Sequence, residues 1–595
     1  MASIDEIFAK SGLPTKRKGD PVRDPNEVYK ATKTSSANRS RHAHVDEEAG
    51  DDDTEAGPAA PPLDEDDDDY GPSAPPEDDE DENDDEEGRF FGGGISAAER
   101  RVLDYMDKRG EDLDDGVDEE IDLAWLKKTA LAFEKKISRN AELRARYEAE
   151  PARFIDSEAD LDAAIKALSI LSENSQLYPN FARLGCVGSL VSLLAHENTD
   201  IALDAVEIIG ELTDENVMAE EEDWVALVDA LLEADLVGLL VSNFGRLDET
   251  QEADRDGVYH AMGVIENLCS KKEVADKIGA EESLVKWLLE RAGRKETSVS
   301  QNKQYAAEVL AILAQASEKN RVRLAELDAV DQLLQLVATY RKRDPEKGGD
   351  EREYMENLFE ALTSLVHEPV GKAKFVEAEG VELCLIMLKE GKLSKPAALR
   401  LLNHAAGAPA GAGVCQKIVD AGGLKATFTY FMKRPDKASI EHLVGIFASM
   451  LRLLPGESAE RIRTLAKFVE KDYQKTAELI KLRKIYADEV RREDDRMDQK
   501  RKRLDREDWD LLEDEAFLGR LEAGLFVLQT IDVILAWLVA EDDGARKKIQ
   551  GLLAEQGGLA AVNKTIQDQI KEINIDSHDG KETKEMLTTL AQFLQ

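Results

Sequence analysis

A repeated pair of helices is the feature of this sequence that most restricts what it can fold into. The clearest copy lies at residues 185–215, GCVGSLVSLLAHENTDIALDAVEIIGELTDE. A Gly begins a short helix, a polar turn follows, and a longer helix places Ala205, Ile209 and Leu212 on one side. A small residue at the helix crossing, with Leu or Ile four and seven positions later, lets stacked helices pack in register.

The same plan recurs along the chain. Strong copies are IGAEESLVKWLLERAG with YAAEVLAILAQAS, LDAVDQLLQLVATY with YMENLFEALTSLV, AEGVELCLIMLKEG with PAALRLLNHAAG, and AGGLKATFTYFMKR with HLVGIFASMLRLL; ADLVGLLVSNFGRLD with GVYHAMGVIENLC is a weaker one. Their spacing of roughly 40–56 residues is centred where armadillo and HEAT repeats lie. No segment alternates as a strand would. We predict an all-α, armadillo/HEAT-type helical solenoid.

The two ends of the chain differ from the repeats. Between Asp46 and Glu87 the sequence is Asp and Glu broken by Pro, Gly and Ala, without Lys or Arg, which cannot bury enough apolar surface to offset its ordering entropy. Residues 457–515 indicate long, charged helices of coiled-coil character. The predicted domains are a disordered tail with a basic run and an acidic tract (1–95), an N-terminal helical cap (96–180), about six armadillo repeats (181–455), and charged helices with a C-terminal helical cap (456–595).

Charge and hydropathy restrict the partners. The formal net charge is −46, and the acidic tract supplies about half of it. A surface with this much negative charge repels nucleic acids and anionic membranes. We therefore expect no direct nucleic-acid or membrane binding. Residues 525–540, LFVLQTIDVILAWLVA, are short for a membrane span and contain Gln529 and Asp532, which favours a buried core helix. The start, MASIDEIFAKSG, lacks the pattern of a secretory signal. We expect a soluble, intracellular protein.

Signatures of catalysis are missing from the sequence. It contains no GxxxxGK[ST], HExxH or GxSxG motif. The four cysteines are far apart, without a CxxC pair, and their apolar helical contexts predict small buried hydrophobes. The scattered histidines, among them His260, His404 and His442, are expected to have packing or surface roles. The prediction is a non-enzyme with no catalytic residue, cofactor or metal.

Carboxylates on the third helix of each repeat are the candidate binding residues. In an armadillo stack this helix lines a concave groove, and in the first copy four acidic residues fall at spacings of three and four. Alignment of three units on their last core leucine (Leu212, Leu313 and Leu365) places a Glu of each unit at an equivalent position. The predicted groove residues are Asp204, Glu207, Glu211, Asp214, Glu308 and Glu360. Such a row suits an extended basic peptide through charge-assisted hydrogen bonds, and a solvated helix face is the alternative interpretation.

Two basic runs bear on localisation. Lys16, Arg17 and Lys18, in PTKRKGD, stand free in the tail, where an import receptor can reach them, and they predict a nuclear localisation signal. The run Lys500–Arg503 lies within a charged helix, where a solvated, salt-bridged face is the better interpretation.

Five segments together resemble the β-catenin-like protein 1 family of nuclear armadillo proteins. They are FEKK at 133–136, LLAHENTDIALDAVEIIGELTD at 193–214, LVDALLEADLVGLLVSNFGRLDE at 227–249, MENLFEAL at 355–362 and LEAGLFVLQ at 521–529. The resemblance implies a nuclear scaffold of pre-mRNA splicing. It would associate with the spliceosomal nineteen complex through the Myb-like core subunit, recognise basic segments of partners, and use PTKRKGD as its own import signal.

Other readings of the sequence stay open at this point. An importin-α-like transport adaptor would also bind basic peptides, but its regular Trp and Asn ladder is not matched by the five Trp of this chain. A cytoplasmic armadillo signalling or adhesion scaffold is disfavoured by PTKRKGD. The solenoid ends and the charged C-terminal helices are also compatible with a homodimer.

Overall fold

The computed structural model describes residues 121–407, 409–502, 509–573 and 578–595. All regular secondary structure in these ranges is helical, comprising 26 α-helices, numbered here α1–α26, and short 3-10 turns. The predicted all-α class is therefore confirmed. The predicted disordered tail, with the acidic tract and Lys16–Lys18, lies outside the described residues.

Six successive groups of three helices form the centre of the described chain. The first helices are α3 (Tyr178–Arg183), α6 (Glu221–Glu233), α9 (Lys272–Ile278), α12 (Glu318–Glu326), α15 (Pro369–Glu377) and α18 (Ala412–Asp420). The second helices are α4 (Cys186–Ser192), α7 (Leu236–Arg246), α10 (Glu282–Gly293), α13 (Ala329–Val337), α16 (Gly380–Glu390) and α19 (Gly423–Phe431). The third helices are α5 (Thr199–Thr213), α8 (Glu252–Leu268), α11 (Gln301–Ala316), α14 (Glu351–Leu365), α17 (Ser394–Ala406) and α20 (Lys437–Leu453).

The third helices pack on one another in a continuous ladder. Each contacts the third helix of the next group, and the ladder extends to α2 (Ile155–Lys166) before it and to α23 (Leu525–Glu541) after it. We call these eight helices the ladder helices. Ala205, Ile209 and Leu212 of α5 are buried, as their spacing predicts. The stack is a solenoid of the armadillo type, and it continues on both sides of the predicted repeat region.

The turn from a first to a second helix uses the left-handed region of the backbone in five of the six groups. Gly185 and Gly422 have φ values of 79° and 72°, and Asp235, Asp328 and Glu379 have φ values of 57–61°. Glycine adopts this conformation without a side-chain clash, so the Gly that opens the repeat in the sequence marks this turn.

The flanking helices complete the described chain. They are α1 (Leu123–Arg146), α21 (Ala459–Arg501), α22 (Trp509–Glu522), α24 (Asp543–Leu552), α25 (Gly558–Glu572) and α26 (His578–Phe593). Helix α21 is broken at residues 470–473, where Lys471, Asp472 and Tyr473 are left-handed. Helix α21 packs against α23.

Helix α23 is buried, as its sequence predicts. Asp532 is fully buried, and its Oδ1 accepts a hydrogen bond of 2.6 Å from Nε of Arg483 on α21. Within the described residues no single helix is both long and apolar enough to cross a bilayer. Helices α22 and α23 jointly have the length and composition of a membrane span, but they meet at a bend of 65°.

The four cysteines are buried and unpaired, which confirms the predicted burial.

Candidate functional site

The side of the ladder helices that faces solvent carries the predicted groove residues, and we call it the ladder face. On α5, the positions between the buried apolar residues point outward, so Glu207 and Glu211 are exposed. The same periodicity applies on each ladder helix, because residues three and four apart share a face. The ladder face therefore presents one short row of polar side chains per repeat.

At its N-terminal end the ladder face holds a carboxyl pair. Asp204 on α5 lies 3.2 Å from the ammonium of Lys166 on α2 and is hydrogen-bonded to Asp162. Burial and the hydrogen bond that protonated Asp204 donates to Asp162 raise the pKa of Asp204 to about 7, and Lys166 opposes this shift. The pKa of Asp162 is lowered by the same hydrogen bond. Asp204 is thus already engaged within the protein.

The other predicted residues of α5 have different surroundings. Oε1 of Glu207 lies 3.6 Å from Nε2 of His260 on α8, and both side chains are about half exposed. Glu211 is exposed. Asp214 ends α5, and its Oδ1 accepts hydrogen bonds from the backbone and side chain of Asn216. Glu207 and Glu211 are therefore open to a partner, whereas Asp214 shapes the turn.

Aromatic and imidazole side chains interrupt the carboxylate row at α8. The rings of Tyr259 and Tyr305 lie 4.8 Å apart between centroids, and the Tyr305 hydroxyl donates to Glu266. The predicted row goes from Glu207 directly to Glu308 and includes no residue of the weaker repeat. The structure places α8 between them, with His260 beside Glu207. In the sequence, Tyr259 and His260 of the segment GVYHAMGVIENL indicate this interruption.

The carboxylate row resumes on α11 and α14. Glu308 accepts a hydrogen bond of 2.8 Å from Gln304 and is close enough to Glu360 to raise its pKa. Burial is the largest cause of that rise, and a hydrogen bond with Gln315 partly offsets it. On the next ladder helix, Nη2 of Arg400 lies 4.0 Å from Oε1 of Glu360. Glu308 and Glu360 therefore lie on adjacent ladder helices, near enough to interact electrostatically.

Beyond Glu360 the ladder face changes from carboxylates to imidazoles. Nε2 of His367 and Nδ1 of His404 are 2.9 Å apart, and the rings of His404 and His442 are 6.3 Å apart. Burial lowers the pKa of these imidazoles to about 4, 3 and 4, respectively. Beneath them, the buried ammonium of Lys372 donates to the carbonyls of His404 and Ala405, which caps the end of α17.

The remaining predicted residues are placed as follows. Lys500 and Arg501 pair with Glu515 and Glu513 on α22, which confirms the salt-bridged interpretation for this part of the second basic run. Arg503 lies outside the described residues. In the described part of the chain, no group of three or more His, Cys, Asp or Glu has a geometry suited to a metal ion. Arg400 and the imidazole row were not identified from the sequence as a site.

The chain is similar to a described protein family, to known relatives and, over part of its length, to solved structures. A family described as catenin-beta-like, Arm-motif containing nuclear proteins matches residues 100–567. The beta-catenin-like protein 1 homolog of Schizosaccharomyces pombe is 37% identical over 493 residues, covering 82% of this chain and 85% of that protein. Beta-catenin-like protein 1 of Homo sapiens is 35% identical over 482 residues, covering 78% and 83%. Among solved structures, a designed armadillo repeat protein in complex with the peptide (KR)4 has 18% identity and a TM-score of 0.33, and the match covers 44% of this chain and 99% of that one.

Proposed function

The chain belongs to the catenin-beta-like family of Arm-motif nuclear proteins, and from that premise we propose that it is a non-enzymatic scaffold in the nucleus whose ladder face binds basic segments of partner proteins. The observation that carries this proposal is the row of carboxylates on α5, α11 and α14. Glu207 and Glu211 are exposed, and Glu308 and Glu360 are partly buried at the surface. Carboxylates held at repeat spacing accept charge-assisted hydrogen bonds from Lys and Arg along an extended chain.

Peptide affinity tests the role of this row. The full chain is titrated into a fluorescent peptide rich in Lys and Arg, and binding is followed by anisotropy at fixed salt. The variant carries Glu207→Gln, Glu308→Gln and Glu360→Gln, because Gln keeps the side-chain shape at the two partly buried positions. We expect the affinity to fall about a hundredfold or more, since three charged hydrogen bonds are lost and each contributes at least about 1 kcal/mol.

A matched control separates this row from general charge. Glu273→Gln, Glu326→Gln and Glu377→Gln change the net charge equally at exposed positions on α9, α12 and α15. The control should bind the peptide as the parent does. Equal weakening of both triple variants would reduce the effect to long-range electrostatics and contradict the proposed site.

For the cellular role, we propose participation in pre-mRNA splicing through the spliceosomal nineteen complex, with its Myb-like core subunit as the direct partner. The resemblance of the five sequence segments supports this assignment, and an acidic ladder face suits a partner with basic segments. Purified core subunit should bind the parent and the control triple variant but not the ladder-face variant. Equal binding to all three proteins would place the contact elsewhere on the chain.

Nuclear import is the second part of the proposal. Lys16, Arg17 and Lys18 would engage an import receptor, and their replacement by Ala in a fluorescent fusion should move the protein to the cytoplasm. Lys500→Ala with Arg501→Ala is the control, since both residues pair with acidic residues on α22. Nuclear accumulation of the first variant would show that another segment carries the signal.

A transport-adaptor function of the importin-α kind has less support. Four of the five Trp lie outside the ladder helices, at positions 125, 224, 287 and 509, and Trp537 lies on the last ladder helix, α23. A Trp ladder along the groove is therefore missing.

A further inference from the structure

Arg400 is a surface cation whose hydrogen bonds are incomplete. Its side chain is 24% exposed, and its Nε is buried without a hydrogen-bond partner among the described residues. Glu360 is the one carboxylate of the described chain within 4.0 Å of the guanidinium, at a distance too long for a hydrogen bond. A guanidinium has five donors, and within the described residues the two Nη groups of Arg400 make no hydrogen bond, so they are able to receive an anion.

Two imidazoles beside Arg400 also have ring nitrogens without partners. His404 follows Arg400 by four residues on α17, so the two side chains share a face. His442 lies on the next ladder helix, and the charge of Arg400 acts on both imidazoles. Within the described residues, the hydrogen bonds of both rings involve Nδ1 and leave Nε2 without a protein partner.

The hydrogen-bond partner of His442 determines its tautomer. Nδ2 of Asn403 lies 3.4 Å from Nδ1 of His442. An amide nitrogen only donates, so Nδ1 of His442 accepts and its Nε2 carries the hydrogen. The hydrogen bond between His367 and His404 uses one hydrogen. When Nε2 of His367 donates it, Nδ1 of His404 accepts it, and Nε2 of His404 carries a hydrogen and is a donor too. With His367 as that donor, Arg400, His404 and His442 each hold a donor without a protein partner among the described residues, on side chains that are partly exposed.

We propose that Arg400, His404 and His442 form an anion subsite that receives the phosphate of a phosphorylated serine or threonine in a partner protein. The inference rests on the proposed function, because the same partner segment would place its basic residues on the carboxylates of α5 to α14. Three donors from separate side chains match the three oxygens of a phosphate monoester better than the two of a carboxylate. A nucleic acid fits poorly, because its continuous phosphates would run onto Glu308 and Glu360.

The ladder geometry sets the spacing of this partner motif. Neighbouring helices pack about 10 Å apart, and an extended chain advances about 3.3 Å per residue, so one ladder helix corresponds to about three residues. The phosphate site spans the two ladder helices that follow Glu360. The phosphorylated residue should therefore lie about three to six residues from the basic residue that binds Glu360.

Phosphorylation of a peptide gives opposite results with and without this subsite. The full chain is titrated with a Lys- and Arg-rich peptide that carries Ser or phosphoserine four residues beyond the basic stretch. An acidic face alone would bind the phosphorylated peptide more weakly. With the subsite, phosphorylation should tighten binding about fivefold or more. Arg400→Gln should abolish this gain and make phosphorylation unfavourable.

The control is a second cation of the same helix. Lys395 lies over the ring of Tyr430, with Nζ 5.4 Å from the ring centroid, and Lys395→Gln removes the same charge outside the subsite. This variant should keep most of the gain from phosphorylation. An equal loss in Lys395→Gln and Arg400→Gln would reduce the effect to net charge and overturn the proposal.

Inorganic phosphate tests the subsite without any basic peptide. At constant ionic strength, phosphate in place of chloride should raise the Tm of the parent saturably and leave that of Arg400→Gln unchanged. A saturable shift with no peptide binding would sink the proposed function and keep the subsite. No shift, together with weaker binding of the phosphorylated peptide to the parent, would overturn the subsite and keep the basic-segment binding.

Discussion

Single residues carry backbone strain where a first helix turns into a second. Asp235, Asp328 and Glu379 occupy the left-handed region that Gly185 and Gly422 fill in equivalent turns. A side chain at such a position costs about 1 kcal/mol or more, and the surrounding helices hold it there. The left-handed conformation at these three turns therefore lowers the free energy of unfolding of the chain.

Glu379→Gly should stabilise the protein by about 0.5–1 kcal/mol, since Gly relieves the left-handed strain at an exposed position. Urea denaturation of the parent and the variant measures the change. Glu379→Ala retains the Cβ and should show no gain. A gain in both variants would point to charge rather than backbone conformation.

Asp204 predicts a pH dependence of stability. Its pKa is raised from 3.8 to about 7 on folding, so the folded state holds the proton more tightly and stability falls as the pH rises from about 4 to about 7. Asp204→Asn removes this loss and should stabilise the chain more at pH 8 than at pH 5, in thermal unfolding at both pH values. Asp162, with its lowered pKa, acts below this window. An equal effect at both pH values would contradict this assignment.

At the scale of elements, periodicity predicted the helices but not their neighbours. Ala205, Ile209 and Leu212 are buried together because their spacing places them on one face of a single helix. The row that joins Glu360, Arg400 and His442 depends on how three helices about 40 residues apart are offset when they stack, and no local pattern records that offset. The break in α21 was missed for a related reason, since three left-handed non-glycine residues are held only by tertiary contacts.

The ion pair between α21 and α23 makes a prediction at this scale. Arg483→Met should cost about 3–5 kcal/mol, because it leaves Asp532 buried without its guanidinium. The double variant Arg483→Met with Asp532→Leu should recover most of that loss, since apolar side chains of similar size replace buried pairs well. Urea unfolding of the parent, both single variants and the double variant gives the coupling energy. A double variant as unstable as the sum of its parts would refute the argument.

At the scale of the whole molecule, the described chain is close to one-dimensional, because each ladder helix packs on the adjacent ladder helices and on helices of its own and adjacent groups. A local defect should therefore weaken nearby repeats most. Leu362→Ala, at a fully buried position on α14, should cost about 2–5 kcal/mol. Hydrogen exchange should then rise most in α11, α14 and α17 and fade toward both ends.

The reference for this defect is Leu393→Ala, at a residue that is 50% exposed just before α17. It should leave the exchange pattern as in the parent. A uniform rise along all helices after Leu362→Ala would show that the solenoid opens as a single cooperative unit instead.

The four buried thiols can report local opening of the helix stack at four points along its length. Cys186, Cys269, Cys384 and Cys415 lie on or beside α4, α8, α16 and α18, and each is sealed in the apolar interior. A thiol reagent reaches each one only when the surrounding helices separate. The order in which the native cysteines are alkylated therefore reports where the stack opens first, with no probe added to the chain.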